Sequence, residues 1–122
     1  MDGLKVEHLT QEEIGFQLIL HSGNARSKII QSLREYRAGN VSEAENLLTQ
    51  VEGDLSMAHQ IHFHMIQKEA NGEKTEFSLL LMHAEDHLMS ILTMKELVKE
   101  LLEVFKSVDL IERKDRNGNE SV

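Results

Sequence analysis

His83, Asp86, His87 and Ser90 lie within the stretch LMHAEDHLMSILTM at residues 81–94, and their types and spacing could do chemistry. At about 100° of turn per residue they fall within an arc of roughly 100° on a helix, and Leu79, Met94, Leu97 and Leu101 project into the same arc. Polar groups set into an apolar stripe need partners, which marks the arc as a candidate functional patch. His83 and His87 are one turn apart, the spacing of a transition-metal ligand pair that His59 and His62 could complete as a zinc site. The same spacing arises by chance in a chain with seven histidines. Structural or solvated histidines, a catalytic histidine and a metal site therefore all stay open on spacing alone.

Several chemistries are excluded by what is missing. Ala84 stands where a metalloprotease places the glutamate after its first histidine. The chain has no Glu-x-x-His pair, which counts against a carboxylate di-iron bundle. No glycine-rich phosphate loop and no serine-nucleophile motif are visible. A neutral imidazole is nevertheless a nucleophile near pH 7, able to accept a phosphoryl group from another phosphoprotein and pass it on. Such a transfer depends on in-line positioning and electrostatic support, and requires no nucleotide site.

Three long helices must position these residues. Thr10 and Glu13 form a capping-box pattern that opens the first, with Ile14, Leu18, Ala25, Ile29, Leu33 and Tyr36 at helical spacing. Ala38-Gly39-Asn40 ends it, with Gly39 as a left-handed cap. Asn40 and Glu43 repeat the start signal, and a stripe through Ala44, Leu47, Leu48, Val51, Leu55, Ala58, Met65 and Ile66 defines the second helix. Asn71-Gly72 closes it, and Thr75 is the expected cap of the third. That helix carries Leu80, Leu81, Ala84, Leu88, Ile91, Leu92, Val98, Leu102 and Phe105. The predicted helices span roughly 11–38, 41–70 and 76–108, in one domain covering 1–122, with a frayed polar tail at 113–122.

Short loops between helices of about 45 Å give an antiparallel up-down-up three-helix bundle, all-α. The third helix is apolar over more than one stripe, so a lone bundle would leave part of it wet and self-association is expected. Gly15, Gly23 and Gly53 lie inside predicted helices, where close helix packing is the expected reason. Met57, Met65, Met82, Met89 and Met94 are expected core filler.

Composition narrows the partners. The 122 residues include no cysteine, which excludes disulfides and thiol chemistry, and no proline, so nothing breaks a long helix from within. A formal charge of −8 argues against nucleic acid and anionic membranes and suits a partner with a basic face. Apolar runs fall far short of the roughly 20 residues of a membrane span, and no secretion signal is visible. The expectation is a cytoplasmic protein without direct membrane insertion.

Four stretches, in order, carry a family likeness: SGNARS at 22–27, AGNVSEAENLL at 38–48, AHQIHFHMIQKEANGE at 58–73 and SLLLMHAEDHLMS at 78–90. Over roughly residues 12 to 108 the chain resembles enzyme IIA of the lactose/cellobiose (N,N'-diacetylchitobiose) class of the sugar phosphotransferase system. The last stretch, close to the family's His-Ala-Gln-Asp-His-Leu-Met signature, is the most specific. The resemblance implies three-helix subunits assembled as a homotrimer with a nine-helix core. It implies that His83 is phosphorylated by the phosphocarrier HPr, on Nε2, and passes the group to a cysteine of the cognate enzyme IIB. The sugar taken up would be a β-linked disaccharide such as cellobiose or lactose. Asp86 would meet its symmetry mates at the trimer axis around one shared magnesium ion, and three converging carboxylates do repel unless a cation separates them. His87 is the expected supporting residue, orienting the ring or donating to phosphoryl oxygens.

The sequence departs from the family pattern at three places. Glu85 replaces the usual glutamine of the signature, about 160° around the helix from His83. His62-Phe63 stands where Gln-Thr is usual. The approach to the histidine reads LLLM instead of carrying the commoner valine. Two other readings stand beside the carrier: a non-catalytic helical regulator that binds partners, and a transition-metal bundle on His59, His62, His83 and His87.

Overall fold

The computed structural model of the chain describes residues 6–120, with side chains to residue 118. The first five residues, part of the segment read for a secretion signal, lie outside that range, as do Ser121 and Val122 of the polar tail. A 3₁₀ turn at Val6–His8 precedes three helices, α1 (Gln11–Arg37), α2 (Val41–Ala70) and α3 (Leu79–Glu120). No strand occurs among the described residues, and none of the helices is long and apolar enough to cross a membrane.

Local chemistry sets most of the boundaries. Thr10 Oγ1 accepts the Glu13 N–H at 3.1 Å, and its hydroxyl donates to Glu13 Oε1 at 3.0 Å. The carboxylate thus takes the cap's hydroxyl and does not reach back to the backbone as a full capping box would. Gly39 at φ +91° and Gly72 at φ +86° end α1 and α2. Each sits in a Schellman turn: Asn40 N–H donates to the Glu35 carbonyl and Glu73 N–H to that of Lys68. Two expected caps do not form. Asn40 makes no side-chain cap, because its amide donates to Glu35 Oε2 at 2.8 Å instead. Thr75 lies outside the helix. Ser78 caps α3, its hydroxyl accepting the Leu81 N–H at 3.2 Å.

The third helix also runs further than expected. Residues 113–120 continue α3 as helix where a frayed tail was predicted, and residues 107–118 are all exposed. Polar composition there reflects the lack of a neighbour, and with no proline nothing stops the helix.

α1 lies between the other two helices and packs along both, whereas α2 and α3 meet only sparsely. The core comprises Ile14, Leu18, Ala25 and Ile29 of α1, Val51, Leu55, Ala58 and Ile61 of α2, and Leu81, Ala84, Leu88, Ile91, Val98 and Leu102 of α3. Ser32, buried among them, donates to the Ala44 carbonyl at 3.0 Å. Gly15 admits α3 closely, since a Cβ there would lie 3.2 Å from Leu80 Cγ. Gly23 and Gly53 have open space, so close packing does not explain them. Met82 and Met89 are exposed and are not core filler, nor is Ile66 of the expected α2 stripe.

Polar side chains bridge the gap between α2 and α3. Lys106 Nζ reaches Glu45 at 2.5 Å, and Lys95 and Lys99 each reach Glu52 at 3.6 Å. Nearer the loop, His62 Nδ1 meets Glu85 Oε2. Two of the residues that depart from the family pattern therefore meet each other.

Two stability outcomes follow from this architecture. Gly39→Ala should destabilise by about 1–2 kcal/mol, because a Cβ is strained in the left-handed region, whereas Gly53→Ala should stabilise by up to about 1 kcal/mol; urea unfolding of both reads the difference. In a double-mutant cycle, His62→Gln and Glu85→Gln should couple by about 0.5–1 kcal/mol, and strict additivity would show that the pair holds nothing together.

Candidate functional site

The signature segment occupies the first three turns of α3, anchored by Leu81, Ala84 and Leu88 in the core. These buried residues fix the helix's rotation, and the rotation turns the polar arc outward. His83, Asp86 and Ser90 are exposed and His87 is half-buried. The arc is thus not a polar intrusion into the bundle core. It forms part of a second, outward stripe, in which Leu79 is 74% and Leu97 59% exposed.

The His83 and His87 rings stack, with centroids 6.2 Å apart and planes within 10° of parallel. Among the described residues neither ring has a hydrogen-bond partner, and the Asp86 carboxylate has neither a hydrogen bond nor an ion pair. What the arrangement offers is a solvent-facing imidazole, a second imidazole one turn on, and a free carboxylate between them on the same surface.

The four histidines of the proposed metal bundle do not gather. His62 is engaged with Glu85 on the α2 side, while His83 projects from another face of α3. Among the described residues no group of three or more His, Cys, Asp or Glu side chains could hold a metal ion.

Sequence reasoning missed the groove on the α2 side of the signature. It measures about 430 Å³, and Ile66, Phe77, Met82 and Met89 line it together with Glu69, Glu76, Glu85 and Asp86. Asp86 stands on the ridge between this groove and the histidine pair. Phe77 is 80% exposed, an apolar residue beside the loop that no periodicity assigns to a core. An exposed aromatic just before a helix cap was the available signal.

The whole arrangement has close counterparts. The family model described as the lactose/cellobiose-specific IIA subunit of the phosphotransferase system matches residues 13–106. The oligo-beta-mannoside-specific EIIA component of Bacillus subtilis is 64% identical over 110 residues, covering 90% of this chain and 100% of that protein. The crystal structure of the cellobiose-specific enzyme IIA of Bacillus anthracis superposes with a TM-score of 0.77 at 41% identity, covering 87% of this chain and 98% of that one. The IIA(chitobiose) subunit of Escherichia coli, solved in solution with HPr, gives a TM-score of 0.71 at 32% identity, covering 83% and 98%. The outward histidine signature on a three-helix scaffold, the family match across most of the chain and these relatives agree: the chain belongs to the lactose/cellobiose-specific IIA family and is a phosphotransferase component of the sugar phosphotransferase system.

Proposed function

We propose that His83 is the phosphoryl-accepting residue of this IIA protein. The observation that carries the reading is the exposed His83 ring, fixed on a rigid helix with no hydrogen bond occupying either nitrogen among the described residues. A phosphoryl carrier must meet a donor and an acceptor in turn, so its nucleophile has to face solvent and be positioned by the backbone.

In the first step the His83 Nε2 lone pair attacks phosphorus. The N–P bond to the donor histidine breaks as the new one forms, and the electron pair returns to the donor imidazole. In the second step a cysteine thiolate of enzyme IIB attacks the same phosphorus, an S–P bond forms as the His83 N–P bond breaks, and the electron pair returns to Nε2 to regenerate the imidazole. Both steps are in-line displacements on one phosphoryl group. The donor is phospho-HPr, a reading supported by the chitobiose relative solved with HPr. His87, stacked on His83, orients the ring and donates to phosphoryl oxygens. The reaction belongs in the cytoplasm. The sugar is a β-linked oligosaccharide such as cellobiose or lactose, and the names of the relatives (oligo-beta-mannoside, cellobiose, chitobiose) fall within that chemical class.

The subunits assemble as a homotrimer through the outward stripe of α3. Asp86 fits a shared magnesium ion there: its carboxylate is exposed and unpartnered, and an oxygen ligand suits a hard cation. One chain supplies a single such carboxylate, so the ion would be held by Asp86 from each copy. When bound, it would neutralise the mutual repulsion of those carboxylates.

Intact-mass analysis after incubation with phosphoenolpyruvate, enzyme I and HPr tests the assignment. Wild type should gain one acid-labile phosphoryl group and His83→Ala none, with helicity unchanged; phosphorylation of His83→Ala at the normal rate refutes the site. His87→Ala should reach the same stoichiometry about tenfold more slowly. Asp86→Leu should remain trimeric and unfold no earlier than wild type, because it removes converging charges. Dissociation of that variant into monomers would show that the carboxylates and their ion hold the assembly together.

A further inference from the structure

Among the described residues, Ser22 Oγ is the one buried side-chain polar atom without a hydrogen-bond partner, and Ser22 is 0% exposed. An unpaired buried hydroxyl is costly, and a serine inside a helix commonly relieves the cost by bonding the carbonyl four residues back. Ser22 makes no such bond. Ser32, the other buried serine of α1, donates across to the Ala44 carbonyl of α2. Its side chain lies about 80° around the helix from that of Ser22, so the two serines do not share a neighbour.

Register places Ser22 opposite His87. α1 and α3 run parallel: Gly15 meets Leu80 near their starts, and the Tyr36 and Phe105 rings lie together near the end of α1. A step of seven residues is close to two turns and returns to the same side of a helix within about 20°. From Gly15 that step reaches Ser22, and from Leu80 it reaches His87. The exposures agree. His83 lies about 60° from the Leu80 side and is exposed, whereas His87, within about 20° of it, is half-buried. Two facing polar groups on neighbouring helices, the Ser22 hydroxyl and the His87 ring, therefore both lack a hydrogen-bond partner among the described residues.

We infer that Ser22 is a positioning residue for the phosphoryl transfer: its hydroxyl donates to the ring nitrogen that His87 turns toward α1, which keeps the His87 proton on the other nitrogen, facing the phosphoryl group on His83. A neutral imidazole has one donor and one acceptor nitrogen, and the bond made at one sets which of them carries the proton. The hydroxyl rotates freely and the imidazole turns about a broad torsion, so the bond needs no helix movement. Hydrogen bonds of this kind tighten when the reacting group arrives. The inference rests on the carrier reading, in which His87 donates to phosphoryl oxygens. Were Ser22 the acceptor instead, the His87 lone pair would face those oxygens and repel them. Neither displacement moves the Ser22 or the His87 proton; the two bonds only hold the ring.

The nitrogen-15 shifts of the imidazoles test the bond directly. At about pH 8.5 a ring with the usual pKa of about 6.5 is neutral, and its two shifts report the tautomer. Wild type should show a single tautomer at His87 and Ser22→Ala a mixture, with the His59 and His64 shifts unmoved. Identical His87 shifts in the two proteins overturn the inference. The rate of phosphorylation by phospho-HPr then separates positioning from packing. Ser22→Ala should slow it about threefold, less than His87→Ala does. In a His87→Ala background the same substitution should cost nothing further, because its effect runs through that ring. Alanine removes only a hydroxyl and favours the helix, so circular dichroism should show the fold retained. A Ser22→Ala protein that is not slowed, or that is slowed equally in both backgrounds, overturns the positioning role. A wild type that gains no phosphoryl group overturns the carrier reading instead, and the His87 shifts still decide the bond.

Discussion

One helix with two apolar faces governs this structure. The buried face of α3, from Leu81 to Leu102, completes the core with α1 and α2. A single row of core positions per turn suffices to fix the helix's rotation, because shifting it by one residue would swing each of these side chains by about 100°. Once Leu81, Ala84 and Leu88 are held, His83, Asp86 and Ser90 can only face outward. The reactive surface is therefore a consequence of core packing, and its geometry is as rigid as the core that sets it.

The division of roles among the helices follows. α1 makes the main apolar contacts with both neighbours, and Gly15 lets Leu80 approach it closely. α2 and α3 are joined chiefly by side chains long enough to span the gap: Glu45 to Lys106, Glu52 to Lys95 and Lys99, and His62 to Glu85. Exposed pairs of this kind contribute little each, on the order of 0–1 kcal/mol, so the α2–α3 edge is held less firmly than the α1 contacts. The groove beside the signature opens along this edge, and His62 and Glu85 are both among the residues that line it. Residues that look unrelated in sequence, on different helices and both departing from the family pattern, are in space a single interaction.

Much of this was legible because helical periodicity is a direct record of burial. The α1 residues Ile14, Leu18, Ala25 and Ile29 are all buried as their spacing predicts, and the left-handed glycine ends at Gly39 and Gly72 follow from local backbone chemistry alone. What could not be read was which of α3's apolar arcs faces the core. His83, Asp86, His87 and Ser90 interrupt an apolar stripe in sequence, but that stripe points away from the bundle, and only the partnering of α1 decides between the arcs. The expected caps Asn40 and Thr75 failed for a similar reason: the Asn40 amide is drawn to Glu35, Ser78 supplies the cap of α3 in place of Thr75, and spacing records neither. The helical run through residues 113–120 was hidden because polar composition describes solvent exposure, not backbone conformation.

On the carrier reading, the outward stripe must satisfy two demands that conflict if they fall on the same side of the helix. The nucleophile has to remain accessible to two partner proteins in succession, whereas self-association covers surface. On the trimer reading Asp86 lies at the association axis within one turn of His83, so the two demands are separated around the helix, by the roughly 60° between positions 83 and 86, and not along its length. The apolar stripe continues on later turns through Leu97, Leu101 and Val104. The groove lined by Met82 and Met89 opens on the other side of Asp86 from the histidine pair, so a partner that reaches His83 approaches a face flanked by both surfaces.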